Sequence, residues 1–210
     1  AIDALYGNGT GGKILIKKGL YELSSTLTIG TGNKGVAIVG ESTGWRYSTP
    51  MGTVLKAKSE FTGSSMIDCK EQWVWIENIG VHGNNAVIGI VLNTWDSHIV
   101  NCAIHYCSTG IKCGANTWIK NCWIEYCTTY AVEVKLGEYV WIVDNMFFNP
   151  DVYYDVAVYG VTETPKQTLW IKGNRFHSSP RAIDVWTTIR NLILEGNSYY
   201  NHTQQAIRVE

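Results

Sequence analysis

Proline is scarce in this chain, with four among 210 residues, and charged residues make up only 17%. The formal net charge is −1, so the basic excess that marks a nucleic-acid partner is missing. No apolar run reaches the roughly 20 residues needed to span a bilayer, and no signal-peptide pattern opens the sequence. Six cysteines are present, but none falls in a CxxC spacing, which removes the usual zinc and dithiol redox sites. Helix-forming segments are also lacking. The stretch "AIDALYG" at the start is the one plausible case, and it reads as the tail of a cap helix. What remains is a chain 45% hydrophobic, with 21 Gly, nine Trp and twelve Tyr. That composition can bury a core and is not disordered. Short runs of Val, Ile, Trp and Thr alternate with polar residues and are cut by Gly, Asn and Asp, the pattern of many short strands.

The chain also repeats itself. "NCAIHYC" at 101–107 returns as "NCWIEYC" at 121–127, with Ala103 exchanged for Trp123 and His105 for Glu125. Extending the pair gives "IENIGV" from Ile76, "IVNCAI" from Ile99, "IKNCWI" from Ile119, "IVDNMF" from Ile142, "IKGNRF" from Ile171 and "LEGNSY" from Leu194. A second series keeps the same rhythm, from "MIDCK" at 66–70 through "AVEVK" at 131–135 and "AIDVW" at 182–186 to "AIRVE" at 206–210. Self-similarity at 20–29 residues is the signature of a solenoid. Strand alternation points the leading Ile or Leu of the first series inward. Two residues later stand Asn78, Asn101, Asn121, Asp144, Gly173 and Gly196, the types that tolerate left-handed backbone, so each coil turns a corner there. The next position ends in Asn145, Asn174 and Asn197, predicted to stack rung on rung. Cys102 is expected over Cys122 and Cys107 over Cys127, as free thiols. Cys69 and Cys113, two coils apart, should not pair.

Three strands and three turns per coil of about 23 residues make a right-handed parallel β-helix, and the sequence resembles the pectate-lyase-like β-helix superfamily. The stretch "GGKILIKKGLYELSSTLTI" at 11–29 is similar to the opening motif of that superfamily, with Gly11, Gly12, Ile14, Ile16, Gly19 and Tyr21 in place and Lys17 where a Pro is common. "VAIVGES" at 36–42 and "GTVLKA" at 52–57 look like the strands that follow. The expected architecture is one all-β domain over 1–210, three sheets and about eight coils: a short N-terminal cap segment at 1–10, first coils at 11–60 and regular coils at 61–210. Fold does not set activity, and the polygalacturonase set (Asn-x-Asp, Asp-Asp, Gly-His-Gly, Arg-x-Lys) is missing. So is the Arg-x-x-Pro-x-x-Arg pattern of pectate lyases, which "SSPRAIDV" does not supply.

The resemblance implies that a substrate lies along the outer face of one parallel sheet, which the second series forms. Alternation places Asp68, Val91, Lys112, Glu133, Ala157, Asp184 and Arg208 in one outward row. Lys70, Asn93, Gly114, Lys135, Tyr159, Trp186 and Glu210 stand beside it. Glu133 and Asp184, two rungs or roughly 9.6 Å apart, approach the spacing of an inverting hydrolase pair. Alternatively Lys112, Lys135 and Arg208 neutralise a uronate while one of them takes the proton for β-elimination. Candidate catalytic residues are therefore Glu133, Asp184 and Lys135, with Lys112, Tyr159, Trp186 and Arg208 binding substrate. Opposite charges on adjacent exposed rungs also serve simply to keep a sheet soluble and in register. A second outward row, Trp75, His98, Trp118, Trp141, Trp170 and Ile193, suggests an oligomer contact, a polysaccharide strip, or a face covered by residues 41–52. A third row carries His82, His105 and Glu125, whose near-collinear placement is poor for a metal, so no metal site is assigned. No cofactor is expected, with a calcium ion left open.

Two readings follow. The first is an extracellular or surface protein that binds, and as a hydrolase or lyase depolymerises, a polysaccharide. The second is a non-catalytic structural or adhesive β-helix on a virion or cell surface, such as a tail spike or fibre. Because "AIRVE" ends on a strand of the repeat, the natural chain is expected either to continue beyond Glu210 or to dock that end on another subunit.

Overall fold

A computed structural model of the chain describes residues 11–30, 35–43, 52–70, 72–93, 95–135, 139–149, 154–159, 168–187 and 189–209. The predicted cap segment at 1–10 lies outside them, and the described residues contain strands but no helix. All named strand pairs are parallel and wind into a solenoid of about seven turns, close to the eight expected. The first sheet stacks Gly12–Ile16, Val36–Gly40, Trp75–Glu77, Ser97–Val100, Thr117–Lys120, Tyr139–Val143, Thr168–Lys172 and Asn191–Glu195. The second stacks the short strands Gly80–His82, Ala103–His105, Trp123–Glu125, Met146–Phe148, Arg175–His177 and Ser198–Tyr200. The third contains Ile88–Leu92, Thr109–Cys113, Tyr130–Lys135, Tyr154–Tyr159, Arg181–Val185 and Ile207–Val209. One 17-residue strand, Thr53–Cys69, joins the last two: its start pairs with Gly80–His82 and its end with Ile88–Leu92. It runs unbroken across position 60, so the first coils and the regular coils are continuous.

The register follows the repeat residue for residue. Ile76, Ile99, Ile119, Ile142 and Ile171 stack in one inward column without exposed surface. Phe147, Phe176 and Tyr199 form another, their rings nearly parallel at 4.8 and 5.4 Å. At the corner between the first and second sheets, Asn78, Asn101, Asn121, Asp144, Gly173 and Gly196 all have positive φ, between 53° and 65°. A branched side chain there would strain every coil.

The turn leaves one backbone carbonyl per coil aimed into the core, and a buried carbonyl needs a donor. Asn145 Nδ2 donates to the Ile119 carbonyl at 2.9 Å, Asn174 Nδ2 to Ile142 at 2.8 Å and Asn197 Nδ2 to Ile171 at 2.7 Å. Each amide oxygen also accepts from the backbone N–H of the residue one rung earlier: Cys122 N–H to Asn145, Asn145 N–H to Asn174, and Asn174 N–H to Asn197, at 2.8–3.0 Å. Lower in the stack a thiol takes the place of the amide. Cys122 and Cys102 direct Sγ at the Ile99 and Ile76 carbonyls, at 3.6 and 3.7 Å. All six cysteines are free and buried. Burial pushes the Cys107 and Cys113 thiols up to about 12. Leu92 separates Cys69 from Cys113 in register.

At the corner between the second and third sheets stands a buried polar cluster that the sequence analysis did not single out. Asp155, Asn149 and Ser179 have no exposed surface. Asn149 Nδ2 donates to Asp155 Oδ1 at 2.7 Å. Ser179 Oγ lies 2.6 Å from Asp155 Oδ2 and 2.9 Å from the Arg181 carbonyl. One hydroxyl proton cannot serve both acceptors. A protonated Asp155 resolves the conflict by donating to Ser179, which then donates to the carbonyl. Burial accordingly lifts the Asp155 carboxyl from an ordinary 3.8 to about 7.

Two outcomes are expected. Asn174→Ala strands the Asn145 N–H and the Ile142 carbonyl, and at about 1–3 kcal/mol for each group it should cost roughly 2 kcal/mol or more in denaturant unfolding. Asp155 holds its proton more tightly folded than unfolded, so its contribution is complete below about pH 4 and disappears as the pH rises to about 7. Asp155→Asn, whose amide can donate to Ser179 at any pH, should flatten the stability profile between those values. Melting temperatures across that range check it.

Candidate functional site

Pairing across the third sheet sets Lys112 beside Glu133, Glu133 beside Ala157, Ala157 beside Asp184 and Asp184 beside Arg208. The predicted row therefore exists, with Glu133 and Asp184 two rungs apart. Glu133 sits between two lysines, its Oε2 3.3 Å from Lys112 Nζ and its Oε1 3.7 Å from Lys135 Nζ. Asp184 receives a two-pronged contact from Arg208, Nε to Oδ1 and Nη2 to Oδ2, both at 2.7 Å. Arg181 Nη1 adds a third at 3.3 Å. Arg208 lies over the Trp186 ring, 5.4 Å from its centre, and Arg181 lies 5.7 Å from the centre of Tyr154. Tyr154 meets Trp186 edge-on at 5.0 Å.

These contacts correct one expectation. The row was predicted to be solvent-exposed, yet Asp184 and Ala157 have no exposed surface and Glu133 only 9%. The reason is the neighbours: guanidinium planes and aromatic rings from adjacent rungs fold over the carboxylate. Asp184→Asn is therefore not the near-neutral change that a substitution on an exposed surface usually is. It leaves two partly buried guanidiniums, with side chains 19% and 26% exposed, without their counter-charge, so thermal unfolding should show a clear loss of stability. Lys135 stays open, its side chain 59% exposed. The backbone of Tyr159 pairs beside Lys135 as predicted, while its side chain lies outside the described residues. Arg181 and Tyr154 were missed. Both begin strands at the corner, where alternation no longer says which way a side chain leans.

The Trp row of the first sheet forms a stack. Trp75, His98, Trp118, Trp141 and Trp170 lie ring on ring at 4.5, 4.6, 3.9 and 4.8 Å, every pair within 18° of parallel. Ala37 precedes Trp75 in register and Ile193 follows Trp170. Ring faces are thus spent on one another, and edges point outward. A sugar stacks on a face, so this row is poorly suited to holding a polysaccharide. Of the predicted cover at 41–52, residues 44–51 lie outside the described residues. In the third row His105 Nδ1 and Glu125 Oε1 meet at 3.0 Å, and Trp123 Nε1 donates to Glu125 Oε2 at 2.7 Å. Burial holds His82 below its usual range. No metal-binding group of three His, Cys, Asp or Glu occurs among the described residues.

No protein-family model and no curated protein matches the sequence. Among solved structures, a pectin methylesterase from Aspergillus niger is similar over 100% of this chain and 85% of its own, with a TM-score of 0.63 and 16% identity. A Geobacillus virus E2 protein, ORF18, matches 94% of this chain and 52% of its own at 14% identity and a TM-score of 0.47. The catalytic domain of a GH87 α-1,3-glucanase, solved with tetrasaccharides, matches 92% and 61% at 8% identity and a TM-score of 0.36. Identities this low speak to fold alone. Together with the parallel coils and their register, the first shows that this chain has a right-handed parallel β-helix fold like that of the pectin methylesterase.

Proposed function

We propose that this chain is an extracellular or surface β-helix that binds an acidic polysaccharide along the outer face of the third sheet. One observation carries the reading. Four cations, Lys112, Lys135, Arg181 and Arg208, surround two carboxylates, Glu133 and Asp184, leaving a surplus of two positive charges among the described residues of that cluster. The chain as a whole carries −1. A local surplus of that sign beside Trp186 and Tyr154 suits a polymer of charged sugar rings. Lys135 and Lys112 meet the sugar carboxylates or sulfates, Arg208 and Trp186 form the adjoining subsite, and Tyr159 extends the row beside Lys135.

In the catalytic form of this reading, turnover is β-elimination. Hydrolysis with inversion needs both carboxyls to reach the scissile bond, whereas Asp184 has no exposed surface and both its oxygens are held by Arg208. Glu133, between Lys112 and Lys135, can take the proton beside a uronate carboxylate that the lysines neutralise. Asp184 positions Arg208. The second reading, an adhesive β-helix without turnover, keeps the same binding face.

Purified chain tested against polygalacturonate, alginate and a neutral glucan separates these outcomes. Lys135→Ala should weaken binding of the acidic polymer about tenfold, the equivalent of some 1.4 kcal/mol, and added salt should weaken it further. Glu133→Gln should abolish the ultraviolet absorbance of unsaturated ends while leaving binding intact. Binding without such absorbance in the unaltered protein selects the adhesive form. Binding to the neutral glucan alone defeats the proposal.

A further inference from the structure

A groove of about 480 Å³ lies outside the corner between the first and second sheets, and none of its lining residues belongs to the third sheet. One rail is the left-handed turn column, where side chains project at Asn101, Asn121 and Asp144 and then stop at Gly173. The facing wall is the outer row of the second sheet, where Trp123, Met146 and Arg175 stack on successive rungs. Thr43 closes one end, its Oγ1 donating to the Asn101 carbonyl at 2.6 Å.

The missing side chain at Gly173 makes room for the Asp144 carboxylate. A Cβ there would stand 2.3 Å from Asp144 Oδ1, so the carboxylate lies across the glycine. Asn121 Nδ2 donates to Asn101 Oδ1 at 2.6 Å, which leaves Asn121 Oδ1 as an acceptor on the rail. Among the described residues, neither the Asp144 carboxylate nor the Arg175 guanidinium has an ion pair or a side-chain hydrogen bond. The groove thus offers an unused carboxylate, an unused guanidinium and an amide acceptor beside an indole and a thioether.

We propose that this groove is a second saccharide site, taking the neutral hexopyranose units of an oligosaccharide. The volume falls inside the roughly 300–1,000 Å³ of ordinary small-ligand sites. One negative and one positive group cancel, so the groove has no net pull on an anion, unlike the third sheet. Vicinal sugar hydroxyls both donate and accept, and so can satisfy Asp144 and Asn121 as donors and Arg175 as acceptors. Trp123 and Met146 supply the apolar surface against which the C–H face of a pyranose rests.

Maltohexaose and cellohexaose, titrated into isotopically labelled protein and followed by NMR, test the proposal. Saturable shifts at the Trp123 indole and Arg175 guanidinium signals are expected, surviving salt that strips an acidic polymer from the third sheet. Asp144→Asn keeps a residue that tolerates the turn but removes the charged acceptor, and should weaken binding about tenfold. Gly173→Asn continues the Asn column and fills the groove, and should abolish binding. An unchanged pattern of backbone signals verifies that either variant is folded. Absence of saturable shifts, affinity unaffected by both variants, or preferential displacement by glycine or by oligogalacturonate would overturn it. Loss of acidic-polymer binding in Lys135→Ala with these shifts retained separates the two sites.

Discussion

Everything in this molecule depends on the in-register stacking of parallel rungs about 4.8 Å apart. At that spacing each residue meets its counterpart one coil away, so whatever a position carries, it carries against a near copy of itself. Apolar positions gain, because Ile on Ile and Phe on Phe pack without offset. Turn positions are constrained, because every coil must enter the left-handed region at the same place. Buried polar positions are the most constrained, because each carbonyl stranded at a corner recurs in every coil and must be met every time. The Asn column answers that demand with an amide that both donates and accepts, tying each rung to its neighbours. The cysteines at Cys102 and Cys122 fill the same role with one weaker donor.

The same rule governs the charged face. Like charges stacked at rung spacing repel, so the third sheet alternates sign along its outer row, Lys112 with Glu133 and Asp184 with Arg208. These pairs hold the sheet in register and neutralise one another. What is left over for any ligand at this face is the small cationic surplus and the exposed end of Lys135. The aromatic row of the first sheet shows the converse. Its members have no charge to oppose, so they stack, and in stacking they use up the faces a ligand would need.

Much of the candidate site was legible in the repeat itself. Alternation correctly put Lys112, Glu133, Asp184 and Arg208 in one row, and the turn column was visible as the run from Asn78 to Gly196. Exposure was not legible. Whether an outward carboxylate meets water depends on how far long side chains on neighbouring rungs lean over it, and Asp184 is buried because Arg208 and Arg181 do so. The corners were equally opaque, since Tyr154, Asp155 and Arg181 stand where a strand begins and two-residue alternation has not yet taken hold. Asp155 carried no signal in the repeat, and the hydroxyl it shares with a carbonyl became apparent only from distances.

The sequence by itself determined the period, the register, the residues at each corner and the inward columns, because all of these follow from which residue types recur at which spacing along one strand. Tertiary structure alone decided how neighbouring rungs divide their contacts: which carboxylates are clamped, which rings spend their faces on each other, and where a glycine makes room for a neighbouring carboxylate. Those outcomes depend on the reach and lean of side chains between coils, and a linear pattern carries the order of residues but not the direction in which each one extends.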